Sequence, residues 1–86
     1  MVIGKRKGLI VSSTESGAQY LKDNLTARYD LDLVGSGAEA RRALTDKEYG
    51  AVFINTPLKD EFGTELAETA VTITAAAVML IVRQDG

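Results

Sequence analysis

Two short stretches decide the fold: LIVSS at residues 9–13 and AVFIN at residues 51–55. Each is a run of apolar, largely β-branched residues that ends in polar ones, which is typical of a strand buried on both faces of a parallel sheet. Elsewhere the apolar residues recur at spacings of three and four, which indicates amphipathic helices. Alternation of these two patterns predicts an α/β fold with a parallel sheet.

The predicted strands and helices follow the order β-α-β-α-β-α-β. We expect the strands at Leu9–Val11, Leu31–Val34, Ala51–Ile54 and Ala77–Val82. Right-handed crossovers then favour the flavodoxin-type strand order 2-1-3-4, with helices on both faces of the sheet in three layers. This order brings the carboxyl ends of the first and third strands together, and a ligand site in an open α/β sheet is expected at such a crevice.

The helices have recognisable starts. The first follows the hydroxyl residues 12–14, with Glu15 three positions after Ser12, as in a capping box. Its apolar face is predicted to contain Ala18, Leu21, Leu25 and Tyr29. Ser36 and Glu39 form the clearest capping box and open the second helix. The third helix is marked by Leu66, Ala67 and Ala70.

Composition excludes several kinds of chemistry. The 86 residues include no cysteine and no histidine, which removes disulfides, thiolate metal sites and Ser-His-Asp triads. The net charge of −2 argues against a nucleic-acid or membrane surface, and the basic run at residues 5–7 is interpreted as a solvated leader to the first strand. We therefore expect one cytoplasmic domain at residues 1–86, without a cofactor, a metal or a membrane span.

The order and spacing of these motifs are similar to those of a response-regulator receiver (CheY-like) domain over almost the whole chain. Residues 36–43, together with the segment INTPLKDEFG at residues 54–63, resemble receivers that precede an AmiR/NasR-type (ANTAR) RNA-binding antitermination domain. The resemblance implies a signalling module in transcription regulation, with RNA contacted only through a C-terminal output domain. It also implies that the fifth strand and the last helices of a receiver are not among these residues.

The resemblance further implies which residues stand at the phosphorylation site. A working receiver has an acidic pair after its first strand and an aspartate after its third, because Mg²⁺ prefers hard oxygen ligands. Ser12 and Ser13 occupy the positions of the acidic pair, and Asn55 occupies that of the phosphoacceptor. The hydroxyl residue of the fourth strand is replaced by Val82. We therefore expect a degenerate, non-catalytic pseudo-receiver rather than an enzyme or a phosphoacceptor.

Two alternatives remain open. Asp60 and Glu61, in the loop after the third strand, could hold Mg²⁺ and make a genuine phosphoacceptor, although an acidic pair in a polar turn is ordinarily solvated. Alternatively, residues 12–14 could form an anion-binding turn of a flavodoxin-like small-ligand module.

The fourth strand predicts assembly. If no further strand covers it, residues 77–82 form an apolar edge with unpaired backbone groups. Such an edge favours pairing with another chain, so we expect a homodimer or a higher oligomer through this strand.

Overall fold

The computed structural model describes residues 6–56, 58–60, 63–73 and 76–81. The elements are β1 (Arg6–Ser12), α1 (Glu15–Leu25), β2 (Tyr29–Val34), α2 (Gly37–Asp46), β3 (Ala51–Asn55), α3 (Gly63–Ile73) and β4 (Ala77–Ile81). The strands pair in parallel in the order β2-β1-β3-β4. The predicted flavodoxin/CheY-like fold, with strand order 2-1-3-4, is confirmed.

The sheet has a hydrophobic core on each face. Helices α2 and α3 cover one face, where strand residues such as Val11 and Ile54 meet Leu44 and Leu66. Helix α1 covers the other face, where Ile10 and Phe53 are packed by residues of its apolar side, Ala18, Leu21 and Leu25. Because successive strand residues point to opposite faces, β1 and β3 must be apolar at nearly every position.

Strand β2 begins earlier than the sequence pattern indicated. Tyr29 was expected on the apolar face of α1, but it is the first residue of β2 and pairs with Arg6 of β1. Its ring meets that of Phe53 edge to face, with centroids 5.2 Å apart. A three-residue turn, residues 26–28, separates Tyr29 from the end of α1. Tyrosine is favoured in strands, and the contact with Phe53 packs the Tyr29 ring against the core.

The two helix starts differ in how well they were predicted. Ser36 is the N-cap of α2, and its hydroxyl accepts a hydrogen bond from the amide of Glu39 at 3.2 Å, as expected. The N-cap of α1 is Thr14 rather than Ser12, because β1 continues through Ser12. The hydroxyl of Thr14 accepts from the amide of Gly17 at 3.1 Å. Ser12 is therefore the last residue of β1 and is not the N-cap of α1.

A polar cluster joins β1, β2 and the segment after α2. The carboxylate of Asp32 accepts a hydrogen bond from the buried hydroxyl of Tyr49 at 2.7 Å. The ammonium groups of Lys7 and Lys47 both lie 3.3 Å from the same carboxylate. The Tyr49 hydroxyl, more than either lysine, lowers the pKa of Asp32, while burial and Asp32 raise the pKa of Tyr49. This cluster fixes the edge strand β2 to the rest of the sheet.

None of the helices in the described residues is long and apolar enough to cross a membrane.

Replacing Tyr49 with phenylalanine tests the cluster. The change leaves the ring in the core but removes a hydrogen bond to a charged group, so we expect the free energy of unfolding to fall by about 1–3 kcal/mol. Urea denaturation measures the loss. Tyr20→Phe is the matched control, because the Tyr20 side chain is 69% exposed and its change is expected to be neutral. Equal stability of the two variants would contradict a role for the Tyr49 hydroxyl.

Candidate functional site at the carboxyl end of the sheet

The register of the central strands brings two of the predicted site residues together. Ser12, the last residue of β1, lies opposite Asn55, the last residue of β3, and Asn55 lies opposite Ile81 of β4. Ser12 is buried, and Asn55 is half-buried. The crevice predicted from the strand order therefore exists, and its floor is formed by a hydroxyl and a carboxamide.

These two side chains are hydrogen-bonded to each other. The Asn55 amide nitrogen Nδ2 donates to Ser12 Oγ at 3.1 Å. Ser12 Oγ in turn donates to the carbonyl oxygen of Thr14 at 2.9 Å, and the amide of Thr14 approaches the same hydroxyl at 3.3 Å. The hydroxyl of Ser12 is thus fully used by neighbours, and no carboxylate is present at either position.

Glycine at position 17 makes room for this arrangement. A Cβ atom at Gly17 would collide with Asn55 Nδ2, and it would lie 2.8 Å from Thr14 Oγ1 and 2.9 Å from Ser12 Oγ. Contacts this short require the neighbouring atoms to move. Gly17 is therefore the residue that lets α1 pass over the Ser12–Asn55 pair. This role of Gly17 is not readable from the sequence, since an isolated glycine early in a helix carries no signal of the residue that packs on it.

Ser13 forms hydrogen bonds with different partners from those of Ser12, although the resemblance implies that the two residues occupy the positions of a single acidic pair. Its hydroxyl donates to the carbonyl oxygen of Gly35 at 3.2 Å and accepts from the amide of Lys59 at 3.0 Å. Ser13 thereby connects the loop after β2 to the loop after β3. These bonds join three loops at the carboxyl end of the sheet.

Asp60 makes a second connection between the same loops. Its two carboxylate oxygens accept from the amides of Gly37 and Ala38, the first residues of α2, at 2.9 and 3.1 Å. These two backbone hydrogen bonds, first that of Gly37, lower the pKa of Asp60. A negative charge at a helix N-terminus is also favoured by the helix dipole. The interpretation of Asp60 as a merely solvated turn residue was incomplete, because its carboxylate caps α2 from the loop after β3.

The other predicted site residues lie outside the described residues. These are Glu61 and Val82. Among the residues that are described, no three or more acidic side chains come together in a way that could hold a metal ion. The Mg²⁺ of a phosphorylating receiver needs carboxylate ligands, and Ser12, Ser13 and Asn55 supply none, so these three residues do not fit that ion.

A cleft of about 440 Å³ opens beside the Ser12–Asn55 pair, on the α1 face of the sheet. Its described lining combines hydroxyl and amide residues with apolar ones: Ser13, Thr14, Ser16, Gly17, Tyr20, Leu21, Asn55, Thr56 and Ile81. None of these carries a charge near neutral pH.

The strand order and the crevice define the chain as an open α/β domain of the flavodoxin/CheY-like class. The sequence matches no protein-family model and no curated protein. Solved structures with this fold do match it.

A CheY-like response-regulator receiver domain from Methylobacillus flagellatus is 26% identical, with a TM-score of 0.78, and the match covers 92% of this chain and 69% of that one. A two-component response regulator from Clostridium difficile is 22% identical, with a TM-score of 0.84 and coverage of 95% and 69%. An adenylate cyclase from Rhodopirellula baltica is 20% identical, with a TM-score of 0.78 and coverage of 90% and 58%.

The chain thus has the fold of receiver domains. Because the adenylate cyclase from Rhodopirellula baltica shares that fold, the fold alone does not give the function, which depends on the residues of the site.

Gly17→Ala tests the packing of α1 on Asn55. Alanine in place of glycine within a helix ordinarily stabilises it by about 1 kcal/mol. Here we expect the free energy of unfolding to fall instead, by about 1–3 kcal/mol, because the added methyl group displaces the Asn55 amide. In urea denaturation, the double variant Gly17→Ala/Asn55→Ala should lose less than the sum of the two single variants. A Gly17→Ala variant that gains stability would refute this packing.

The Asp60 cap predicts a pH-dependent helix start. Because the pKa of Asp60 is lowered from its ordinary 3.8, the two bonds are complete above that value and are lost as the pH falls through the lower pKa of the folded protein. The amide resonances of Gly37 and Ala38 should therefore titrate with a midpoint below 3.8 in an NMR series. Asp60→Asn is the control, in which this titration should vanish. A midpoint at or above 3.8 would mean that the cap does not form.

Proposed function

We propose that the chain is a non-catalytic pseudo-receiver, a signalling module that acts by contact with other protein surfaces rather than by accepting a phosphoryl group. The supporting observation is the state of the crevice. The side chains at the positions of phosphoryl chemistry, Ser12, Ser13 and Asn55, are uncharged and hydrogen-bonded to their neighbours. A carboxamide lacks the nucleophilic oxygen of a carboxylate, so Asn55 is a poor acceptor for phosphate.

The resemblance to ANTAR-type receivers extends this proposal to a biological setting. In such regulators a receiver controls an RNA-binding antitermination domain. We propose that this chain controls transcription in the same way, through an output domain joined to it. The RNA would then be bound by the output domain and not by residues 1–86.

Phosphodonors provide the direct test. We expect no gain of one phosphoryl mass after incubation with acetyl phosphate and Mg²⁺, and no saturable change in the NMR spectrum with beryllofluoride and Mg²⁺. The matched variant is Asn55→Asp, which restores a carboxylate at the end of β3 without changing the size of the side chain. A stoichiometric, Mg²⁺-dependent mass gain in the unmodified protein would overturn the proposal.

The same experiment separates the proposal from a genuine phosphoacceptor that uses the loop carboxylates. In that alternative, Mg²⁺ would bind the same Asp60 carboxylate that accepts from the amides of Gly37 and Ala38. Addition of Mg²⁺ alone would then shift both amide resonances strongly. We expect both to stay unchanged, because among the described residues no group of three or more acidic side chains surrounds this carboxylate.

Assembly through β4 is the second part of the proposal. In the described sheet β4 pairs only with β3, and its Met79 and Leu80 are 40% and 36% exposed. Val71 and Ile73 of the adjacent helix α3 are also exposed, at 63% and 51%. We propose that these apolar residues meet a second copy of the chain, since a strand edge with exposed apolar side chains readily pairs.

Light scattering coupled to size-exclusion chromatography tests the assembly. We expect the mass of a dimer or a higher oligomer, and the mass of a monomer for Met79→Lys, because a charge on an edge strand opposes pairing. Leu33→Lys is the matched control, since Leu33 is 41% exposed on the opposite edge strand β2. A monomeric unmodified chain at high concentration would contradict this part of the proposal.

A further inference from the structure

The cleft beside Asn55 has the size of a small-molecule site. Its volume of about 440 Å³ falls within the range of about 300–1,000 Å³ that is usual for ligand pockets. The cleft lies at the carboxyl end of β3. In the order β2-β1-β3-β4, the direction of strand addition reverses between β1 and β3, and open α/β sheets bind ligands at such a point. Location and size therefore agree.

The lining of the cleft contains both polar and apolar groups. Its hydrogen-bonding side chains include Ser16 and Asn55, and the amide nitrogen of Asn55 donates to Ser12. The hydroxyl of Thr56 donates to the carbonyl oxygen of Ile81 at 2.8 Å, which leaves its oxygen able to accept. Asn55 and Thr56 are thus held in place by hydrogen bonds within the protein before any ligand arrives.

Other residues of the lining are apolar. These are Tyr20, Leu21 and Ile81, of which Leu21 and Ile81 also pack on the core that α1 covers. Tyr20 is different, because its side chain is 69% exposed and contributes little to that core. An exposed aromatic ring at the rim of a cleft can stack on a planar ligand at small cost in conformational entropy.

Charge decides the class of ligand. The described lining contains no lysine, arginine, aspartate or glutamate. A charged ligand entering the cleft would lose water without meeting an oppositely charged side chain, which is unfavourable. A neutral ligand avoids this cost.

We infer that this cleft binds an uncharged small molecule with a planar aromatic ring and an amide or hydroxyl group. The ring lies against Tyr20 and Leu21, and the polar group meets Asn55 and Thr56. The inference rests on the proposed function, because it requires a crevice that is not used for phosphate. Binding would couple to signalling through Asn55, which connects the cleft to β1 through Ser12.

Three matched pairs of probes test the inference: benzamide and benzoate, 4-hydroxybenzamide and 4-hydroxybenzoate, and nicotinamide and nicotinate. Each pair has nearly the same shape and differs in charge. Probes of roughly ten non-hydrogen atoms that gain about 0.3–0.4 kcal/mol per atom bind with about millimolar affinity, which NMR titration of the backbone amides detects. We expect saturable shifts at residues 16–21, 55, 56 and 81 with at least one amide, and affinity at least about tenfold lower for its carboxylate.

Variants assign the binding to the cleft. Tyr20→Ala is expected to weaken the amide probe at least about fivefold, which is a loss of the ring contact. Gln19→Ala is the matched control, because Gln19 is exposed on the same helix and bonds only to Asp23 in the described contacts. The backbone spectra of both variants are compared with that of the unmodified protein to establish whether they remain folded.

Each outcome has one meaning. Failure of all three amides to give saturable shifts, shifts outside the cleft, or carboxylates that bind as tightly as amides would overturn the inference. Equal binding by the Tyr20→Ala variant would also overturn it. None of these results bears on phosphoryl transfer, so the proposed function would stand or fall separately on the phosphodonor experiment.

Discussion

The parallel pairing of β1 with β3 is the constraint on which the rest of the structure depends. It aligns Val11 with Ile54 and Ser12 with Asn55, so the last apolar pair of the core is followed directly by the first polar pair of the crevice. The strands are buried on both faces, and a shift of one residue would move every side chain to the wrong face. Core packing therefore also fixes the geometry of the site.

Uncharged residues change how the crevice is held together. Two or three carboxylates at the same place would repel one another unless a cation bound them. With Ser12 and Asn55 there is no repulsion, and one hydrogen bond of 3.1 Å joins the ends of the strands directly. Ser13 and Asp60 then attach the surrounding loops to each other. The resulting crevice is held together by hydrogen bonds between the protein's own groups.

Much of the fold could be read from the sequence, because burial leaves a periodic signal. Continuous apolar runs identified β1 and β3, and the spacing of Ala18, Leu21 and Leu25 identified the buried side of α1. Tyr29 was misplaced, since at the end of a helix the same spacing also fits the start of a strand.

The site was predictable only in its location. Strand order placed Ser12 and Asn55 at one edge, but the separate partners of Ser13, the passage of α1 over Gly17 and the cap supplied by Asp60 depend on tertiary contacts between distant residues. Local sequence patterns do not encode such contacts. For the same reason, they do not show that β1 extends through Ser12 and that Thr14 is the N-cap of α1.

The bond between Asp60 and the start of α2 makes two distant sequence positions dependent on each other. Gly37 is the first residue of α2, and its backbone N–H group donates to the carboxylate of Asp60. Proline at position 37 has no such group and is well suited to the first position of a helix. Relatives that lack an acidic residue at position 60 are therefore expected to vary at position 37 as well, with proline as a compensating choice. Paired variation of this kind would record the contact in sequences alone.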